Sequence, residues 1–557
     1  MSSVQFSYLD YFFFCIVFIV SIGIGLYYAY GMKRAFSVEE YLFGGKNMKV
    51  LPVTFSLIAT TITGSSTLGQ SMEVYAYGFH NWMYTVLGFL RFFMMRYIFL
   101  PVMYNLQLTS SFTYFEMRFD KSLKYIASFF YIVTGLFVIP LTIYVPALAF
   151  QEVTGINLYV ITVVSGILCI WYTAIGGFKT VVWTDVFQFL LITVATLVIM
   201  IVGLISVDGY TNVWTALDRG GRLALFKTDL NFETRGSVWA YLLSTNFTTL
   251  YQFSMSQSAL QRYISLPTFE KAKHALWIQI CLCQVILMVQ FTIGATIFAT
   301  YEKCDPLTAG FVEKIDQIFP YYVQEKASLF PGFNGIFIAG VFAAGLSTTS
   351  TLLNTISGTI YTDFLATKFK NASQKSVRNL LKLLVAVVGA AGIGLMFVIE
   401  KMGTIFSITH QCFTLSTVGV FGLFINGILF RTTNSKGAKF GVIVSMAIVG
   451  ILIIGGLNKQ PDPLLPLRTD GCDFSNTISN FSELSRSNST GVNANETTHW
   501  IFRINFQFFA FIGLFINILV SYTVSWFTGG NTVKDQKLLA TFIRKNIPQD
   551  TPLLNNN

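Results

Sequence analysis

Charged residues are scarce in this chain of 557 residues. Asp, Glu, Lys and Arg make up 11% of it, whereas 53% of its residues are hydrophobic. A soluble protein of this size has about a quarter charged residues, so we exclude a large soluble core and expect an integral membrane protein. The formal net charge of +10 comes from Lys and Arg in short segments between apolar runs, which indicates membrane topology and not a nucleic-acid partner.

Motifs for catalysis are missing as well. The sequence contains no H-E-x-x-H, G-x-S-x-G or G-x-x-x-x-G-K-[ST] pattern, and Cys281 and Cys283 do not have the spacing of zinc ligands. An integral-membrane enzyme therefore has the weakest support of the function classes considered. We expect no enzyme activity, no ATP-driven pumping and no cofactor.

Hydrophobic runs of about 20 residues predict thirteen membrane-spanning helices. Their centres lie near residues 19, 63, 92, 137, 164, 195, 248, 287, 348, 390, 416, 447 and 515. No basic residue precedes the first run, so we interpret it as an uncleaved helix with the N-terminus outside the cell. An odd number of spans then places the C-terminus in the cytoplasm of a multi-pass plasma-membrane protein.

The distribution of Lys and Arg supports this orientation. Basic residues concentrate in the segments expected on the cytoplasmic side, and the short opposite loops near Tyr77, Gly155 and Met402 have almost none. The cytoplasmic set is Lys33, Arg34, Lys46, Lys49, Arg118, Lys121, Lys124, Arg262, Lys271, Lys273, Lys368, Lys370, Lys375, Arg378, Lys382, Arg431, Lys436 and Lys439.

A polar loop between the last two spans, at about residues 458–500, is expected outside the cell. It holds three N-x-[ST] glycosylation sequons, at Asn480, Asn488 and Asn495. Cys304 and Cys472 fall in the two long outside loops. Because that side of the membrane is oxidising, we predict that these two cysteines form a disulfide.

Hydroxyl side chains cluster in the middle of two spans. Residues 347–351 (STTST) form an unbroken run in the ninth span, and residues 56–70 of the second span are rich in Thr, Ser and Gly. Hydroxyls are costly in hydrocarbon unless they are used, so both runs indicate either a buried ion or substrate site or close helix packing. A break in the second span would free backbone carbonyls, and the polar seventh span, from Ser244, is also expected to be broken or to line a cavity.

Two further polar groups enter the spans. Asp185 opens the sixth span, either as a helix N-cap or as a counter-charge for a cation that leaves inward. His410, with Gln411, lies in the eleventh span, and a lone histidine there is usually satisfied by a neighbour on the helix. Hydroxyl and carbonyl oxygens without soft ligands suit a small hard cation, so the sequence favours an ion site.

Several segments resemble the sodium/solute symporter family over about residues 38–457. They are residues 44–48 (GGKNM), 101–110 (PVMYNLQLTS), 172–177 (YTAIGG), 182–188 (VWTDVFQ), 261–265 (QRYIS) and 346–348 (LST). Residues 144–148 (YVPAL), 304–307 (CDPL) and 316–320 (DQIFP) are similar to the branch of the monocarboxylate, multivitamin and iodide carriers.

The resemblance implies an all-α membrane fold like that of LeuT. Two inverted five-helix repeats, at about residues 51–206 and 237–430, would each begin with a broken helix. This ten-helix core, residues 51–430, follows residues 1–50, which hold the first helix and a cytoplasmic loop. It precedes two peripheral helices within residues 431–528 and a cytoplasmic tail, residues 529–557.

The family's functional positions, matched onto this sequence, imply a sodium site beside a solute site. The sodium ligands would be the carbonyls of Ala59, Ile62 and Ala344 and the hydroxyls of Thr60, Ser347 and Thr348, with Asp185 and Gln188 near the same ion. The solute would contact Thr63, Ser66, Thr67, Gln70, Tyr144, Tyr251, Gln252 and Phe253.

The function that the resemblance implies is sodium-coupled symport of a small organic solute, a monocarboxylate or a related anion or vitamin, by alternating access. Its partners would be sodium, the solute and the lipid bilayer. Residues 60–67 and 256–260 depart from the pattern of the branch where specificity is set. A sensor or leak channel that binds sodium without coupled transport is therefore the alternative.

Overall fold

The computed structural model describes residues 6–32, 37–326, 331–399, 411, 413–456, 462–472, 499–530, 533 and 535–544. Within these ranges the chain is almost entirely helical, and its one isolated β-bridge joins Lys227 to Ser237. By length and composition, nine of the described helical segments can cross a membrane, and a bent helix pair adds a tenth.

The α-helices are α1 (Tyr8–Met32), α2 (Val38–Phe43), α3 (Val50–Thr61), α4 (Gly64–Tyr77), α5 (Met83–Met94), α6 (Leu100–Leu106), α7 (Thr113–Arg118), α8 (Lys121–Thr154), α9 (Leu158–Ser206), α10 (Tyr210–Arg219), α11 (Val238–Ala240), α12 (Asn246–Ser254), α13 (Gln257–Ile264), α14 (Phe269–Thr300), α15 (Ile318–Lys326), α16 (Phe333–Thr359), α17 (Gln374–Ile399), α18 (Gly422–Leu429), α19 (Ser435–Gly455) and α20 (Phe509–Phe527). The π-helical turns are Met95–Phe99, Tyr241–Thr245, Ile360–Leu365 and Thr417–Phe421. The 3₁₀ turns are Gly44–Lys46, Phe79–Trp82, Ile315–Gln317, Trp500–Arg503, Phe506–Phe508, Gln536–Leu538 and Thr541–Ile543.

The two breaks predicted in the second and seventh spans are confirmed. The second span is the pair α3–α4, whose halves bend by 51°. The seventh span is the pair α12–α13, in which Ser256 caps the second half by accepting a hydrogen bond from the amide of Ala259. Each break places helix ends, with their free carbonyl and amide groups, inside the protein.

The fifth and sixth predicted spans form one helical element, α9, which changes direction at Gly177. Gly177 has φ +61° and ψ −155°, and a Cβ there would lie 2.7 Å from the Tyr41 ring. Only glycine tolerates both conditions, so it separates the two spans. Asp185 lies well inside the second half of α9. The alternative that Asp185 is a helix N-cap is therefore wrong.

Helix α16, which holds the hydroxyl run, is the central helix. In its most apolar stretch 89% of the residues are buried, whereas the value for α1 is 22%. It packs against α9, α8, α1 and α3, while α19 and α20 pack mainly against each other. The hydroxyls of α16 therefore face protein and not lipid.

The polar segment 462–472 is fixed to the core at several points. The structure joins Cys304 and Cys472 by a disulfide. Backbone hydrogen bonds link Leu465 to Ala76 and Asp305 to Arg468 nearby. The predicted glycosylation sites Asn480, Asn488 and Asn495, as well as His410, lie outside the described residues.

Arg118, predicted to be a charge of a cytoplasmic loop, is buried instead. Its guanidinium donates to the carbonyls of Gly427 (3.0 Å) and Phe430 (2.8 Å) at the end of α18. The last carbonyls of a helix have no partner within the helix, and a buried arginine supplies the donors that they need.

Candidate ion and solute site

The break between α3 and α4 exposes backbone oxygens inside the protein. Helix α3 ends at Thr61, and Ile62 has the non-helical angles φ −95° and ψ 89°. Thr63 then caps α4 by accepting a hydrogen bond from the amide of Ser66 (3.0 Å). The carbonyls at the end of α3 thus lack the next helical turn that would normally satisfy them.

Two helices distant in sequence meet at this break. The Ser347 hydroxyl on α16 lies 2.9 Å from the Ala59 carbonyl and 3.1 Å from the Ala344 carbonyl. The Thr348 hydroxyl lies 3.3 Å from the same Ala344 oxygen. Two carbonyls and two hydroxyls, all buried, therefore form one oxygen cluster between α3 and α16. Such neutral oxygens suit a sodium ion that must be held and then released.

The other two residues implied as sodium ligands lie beside this cluster. The Thr60 hydroxyl donates within its own helix, to the carbonyls of Ser56 (3.1 Å) and Leu57 (3.0 Å). Ile62 follows directly after the last residue of α3, with a largely buried side chain.

Asp185 and Gln188 lie on the neighbouring helix α9 and are fully buried. Asp185 Oδ2 accepts from Ser56 (2.5 Å) and from Arg262 Nη2 (2.8 Å). The Gln188 amide nitrogen lies 3.5 Å from the Ser21 hydroxyl. Asp185 Oδ1 and Gln188 Oε1 have no hydrogen-bond partner among the described residues.

Arg262, predicted to be a charge of a cytoplasmic loop, is part of this buried layer. Its guanidinium, 1% exposed, donates to Asp185 and to the hydroxyls of Ser56 and Thr351 (both 2.6 Å). An acidic residue inside a span requires such a partner, and Asp185 was the signal that could have identified it. Ser56 and Thr351 are each about one helical turn from Ala59 and Ser347, so the ion pair lies one turn from the oxygen cluster.

A cavity of about 190 Å³ adjoins the cluster, enough for several waters or a small organic solute. Seven of the residues implied for ion or solute binding line it: Thr60, Thr63, Ser66, Gln70, Tyr251, Gln252 and Thr348. Since Thr60 and Thr348 belong to the implied ion site, the cavity and the oxygen cluster share a wall.

Three residues implied for solute binding do not line the cavity. The Thr67 hydroxyl donates to the Thr63 carbonyl (3.0 Å) and lies 3.4 Å from the Gln290 amide. Phe253 is buried in the hydrophobic core, and Tyr144 packs against that core on α8. Lining residues that the sequence did not identify include Tyr84, Tyr131, Thr245, Thr248, Thr249 and Ser416. The polar pattern of the seventh span was the available signal for the three threonines among them.

An ion-pair network adjoins the cavity at Glu73. Glu73, which lines the cavity on α4, pairs with Arg235 through two contacts of 2.7 and 2.6 Å. Arg235 also pairs with Asp462 (3.1 Å) and lies over the Tyr77 ring, 4.0 Å from its centroid. The network links α4 to the segment before α11 and to the polar segment 462–472.

Comparisons with known proteins agree with this geometry. Residues 41–445 match the model of the sodium:solute symporter family. The chain is 30% identical over 549 residues to sodium-coupled monocarboxylate transporter 2 of Danio rerio, covering 97% of this chain and 87% of the relative. It is 33% identical over 477 residues to the Bos taurus transporter of the same name, covering 85% and 77%.

A solved structure shares the fold. The structure of a Na⁺-coupled sialic acid symporter in a substrate-bound outward-open state superposes with a TM-score of 0.75 at 21% identity, covering 94% of this chain and 98% of that chain. The predicted all-α, LeuT-like membrane fold is therefore confirmed.

Proposed function

Because the chain belongs to the sodium:solute symporter family, we propose that it imports a small monocarboxylate together with sodium by alternating access. The sodium-coupled monocarboxylate transporters among its relatives support this solute class. The observation on which the proposal rests is the contact between the Ser347 hydroxyl and the Ala59 carbonyl at the break of the second span. We assign no enzyme activity to the chain and no bound group besides the coupling ion.

Sodium would bind in the oxygen cluster between α3 and α16. The carbonyls of Ala59, Ile62 and Ala344 and the hydroxyls of Thr60, Ser347 and Thr348 would be its ligands. In the present geometry the Ser347 hydroxyl proton is shared with two of those carbonyls. A cation would be coordinated by these carbonyl oxygens instead, and it would join the two helices more strongly than one neutral hydrogen bond does.

Asp185 and Gln188 would serve an inner cation position on the exit path. Each brings to the same layer a buried oxygen that has no hydrogen-bond partner among the described residues. The Arg262 guanidinium offsets the charge of Asp185, so a cation there would be attracted but not trapped.

The solute would occupy the cavity beside Thr63, Ser66, Gln70, Tyr251 and Gln252. Thr63 caps α4 and Ser66 lies in its first turn, and the positive end of a helix favours a negatively charged group. The three remaining candidates, Thr67, Tyr144 and Phe253, would then shape the walls from behind.

Coupling between sodium and solute would follow from the residues that the oxygen cluster and the cavity share. Sodium bound between α3 and α16 would fix Thr60 and Thr348, and these residues in turn border the solute. Each net positive charge moved inward contributes about 2.3 kcal/mol per 100 mV of membrane potential. Two sodium ions with one carboxylate anion carry a net charge of +1, so the potential would add about that amount to the sodium concentration gradient.

For the topology we propose an extracellular N-terminus and a cytoplasmic C-terminus, with residues 51–430 as the transport core. The disulfide between Cys304 and Cys472 supports an extracellular position for both loops, because such bonds persist in oxidising compartments. The sequons at Asn480, Asn488 and Asn495 would be glycosylated on that side.

The test is the double variant Ser347→Ala with Thr348→Ala, assayed in expressing cells with radiolabelled propanoate. The double variant should abolish sodium-dependent uptake, which is the part of wild-type uptake that disappears when choline replaces sodium. Ser357→Ala is the matched control, since Ser357 is a buried hydroxyl on α16 that donates only within its helix, to Leu353 (2.5 Å). Surface biotinylation would show that all variants reach the membrane.

Undiminished sodium-dependent uptake in the double variant would refute the site assignment. A propanoate-evoked current in wild type without uptake of the isotope would instead favour a sensor or leak channel.

A further inference from the structure

Arg91 is a buried cation with no acidic partner among the described residues. It projects from α5 into the protein, and none of its surface is exposed. One guanidinium nitrogen, Nη2, donates to the Tyr84 carbonyl (2.8 Å), whereas Nε and Nη1 have no hydrogen-bond partner. An uncompensated charge in a membrane interior is costly, and it is kept where function uses it.

Other buried arginines near the cavity are compensated. Arg262 pairs with Asp185 at 2.8 Å, and Arg235 pairs with Glu73 at 2.6 Å. Arg91 differs from both, because its electrostatic neighbours within the described chain are the neutral side chains of Tyr84 and Cys283. The field of its charge is therefore not cancelled locally.

Arg91 lies directly behind one wall of the cavity. Its guanidinium carbon is 4.6 Å from the centroid of the Tyr84 ring, and Tyr84 lines the cavity. The Tyr84 hydroxyl is hydrogen-bonded to the Thr249 hydroxyl (2.7 Å), which also lines it. The wall thus offers hydroxyl groups in front of a positive charge.

We infer that Arg91 is a specificity-determining residue that selects a small monovalent anion, a carboxylate, over an uncharged solute of the same shape. The inference rests on the proposed function, because it concerns the solute of the same cavity. It assigns the positive potential to Arg91, since the described residues that line the cavity include no Lys or Arg and their one carboxylate, Glu73, is already paired.

The expected size of the effect follows from Coulomb's law. A carboxylate in front of the Tyr84 ring would lie roughly 8 Å from the guanidinium, and at the effective dielectric constant of about 20 used for protein sites this changes affinity by roughly 30-fold. No direct contact is needed, so Arg91 acts through the wall and not as a ligand.

The experiment uses the full-length protein in nanodiscs with propanoate and its uncharged isostere propanamide. Thermal unfolding in sodium reports solute binding, and ²²Na⁺ binding without solute reports the ion site separately. Wild type should be stabilised by propanoate and not by propanamide. Arg91→Met should weaken the affinity for propanoate by roughly 30-fold, and Arg91→Lys should retain part of it.

Arg96→Met is the matched control, the same substitution five residues further along the span, where Arg96 lies near the Phe92 and Tyr97 rings. It should respond to propanoate as wild type does. The inference would be overturned if Arg91→Met responded to propanoate as wild type does. It would also be overturned if wild type itself did not distinguish propanoate from propanamide, a result that does not depend on whether any variant folds. If wild type did not bind ²²Na⁺, that result would instead count against the proposed sodium coupling.

Discussion

The Asp185 carboxylate accepts a hydrogen bond of 2.8 Å from the Arg262 guanidinium, although 77 residues separate them in the chain. Both side chains are almost completely shielded from solvent. The pair joins α9 to the second half of the broken helix α12–α13. It therefore ties these two helices together beside the candidate sodium site.

We predict that Asp185→Asn lowers the free energy of unfolding by about 3–5 kcal/mol, because it leaves Arg262 as an unpaired buried charge. The double variant Asp185→Asn with Arg262→Met should recover much of that loss, since both charges are then removed. Thermal unfolding of the purified proteins measures the effect. Strictly additive losses in the double variant would show that the two residues do not interact.

We predict that the network of Glu73, Arg235 and Asp462 forms a gate at the end of the cavity that the proposed topology places outside the cell. Arg235→Gln should weaken both ion pairs and open the path to Gln70, which lines the cavity one turn deeper on α4. A cysteine introduced by Gln70→Cys, in a background without other free thiols, should then react several-fold faster with a membrane-impermeant reagent added outside.

Arg219→Gln is the control for this gate. Arg219 forms an ion pair of similar geometry with Glu302, but its side chain is 61% exposed and does not line the cavity. Labelling of Gln70→Cys should be unchanged by it. Equal labelling rates for Arg235→Gln and Arg219→Gln would exclude a gating role for Arg235.

Much of the fold could be predicted because its signals are local. Long apolar runs mark the spans, and clusters of Thr, Ser and Gly in mid-span weaken a helix where it breaks, as at Ile62 and Ser256. The family resemblance added the pairing of Ala59 with Ser347. Neither local composition nor spacing specifies that two segments 288 residues apart meet. In the structure, the Ser347 hydroxyl lies 2.9 Å from the Ala59 carbonyl oxygen.

The burial and the partners of two arginines could not be predicted from the local sequence pattern. Arg262 and Arg118 lie near span ends, where a basic residue normally indicates a cytoplasmic loop, and their burial depends on helices distant in sequence. Side-chain direction at the breaks could not be predicted either. Helical phase is interrupted there, and Thr67 and Phe253 do not line the cavity although their neighbours Ser66 and Gln252 do.

The disulfide between Cys304 and Cys472 should stabilise the protein without being essential for its fold. It closes a long loop, for which chain entropy gives an upper value of about 5 kcal/mol. The segment is also held by hydrogen bonds from Gly471 to Lys303 and from Leu465 to Ala76. Cys472→Ser should therefore lower the melting temperature yet leave a folded protein at the cell surface. Non-reducing mass spectrometry that finds both cysteines as free thiols would contradict this prediction.

The spacing between α16 and α8 should control sodium affinity. A Cβ on Gly345 would lie 2.3 Å from the Thr142 carbonyl and 2.8 Å from the Pro146 ring, so Gly345→Ala must push the helices apart. This overpacking should cost about 1–3 kcal/mol of stability and shift Ser347 relative to Ala59. We expect sodium affinity to fall on the order of tenfold, as measured by ²²Na⁺ binding to the purified protein.

Gly358→Ala separates this effect from a general intolerance of α16 to larger residues. The nearest atom to a Cβ at Gly358 is the end of the Leu42 side chain, at 3.2 Å, which can move by a few tenths of an ångström. Sodium binding by Gly358→Ala should therefore stay close to wild type. If Gly345→Ala also bound sodium with wild-type affinity, the ion could not depend on the close approach of these helices, and the ligands on α16 would have to be assigned again.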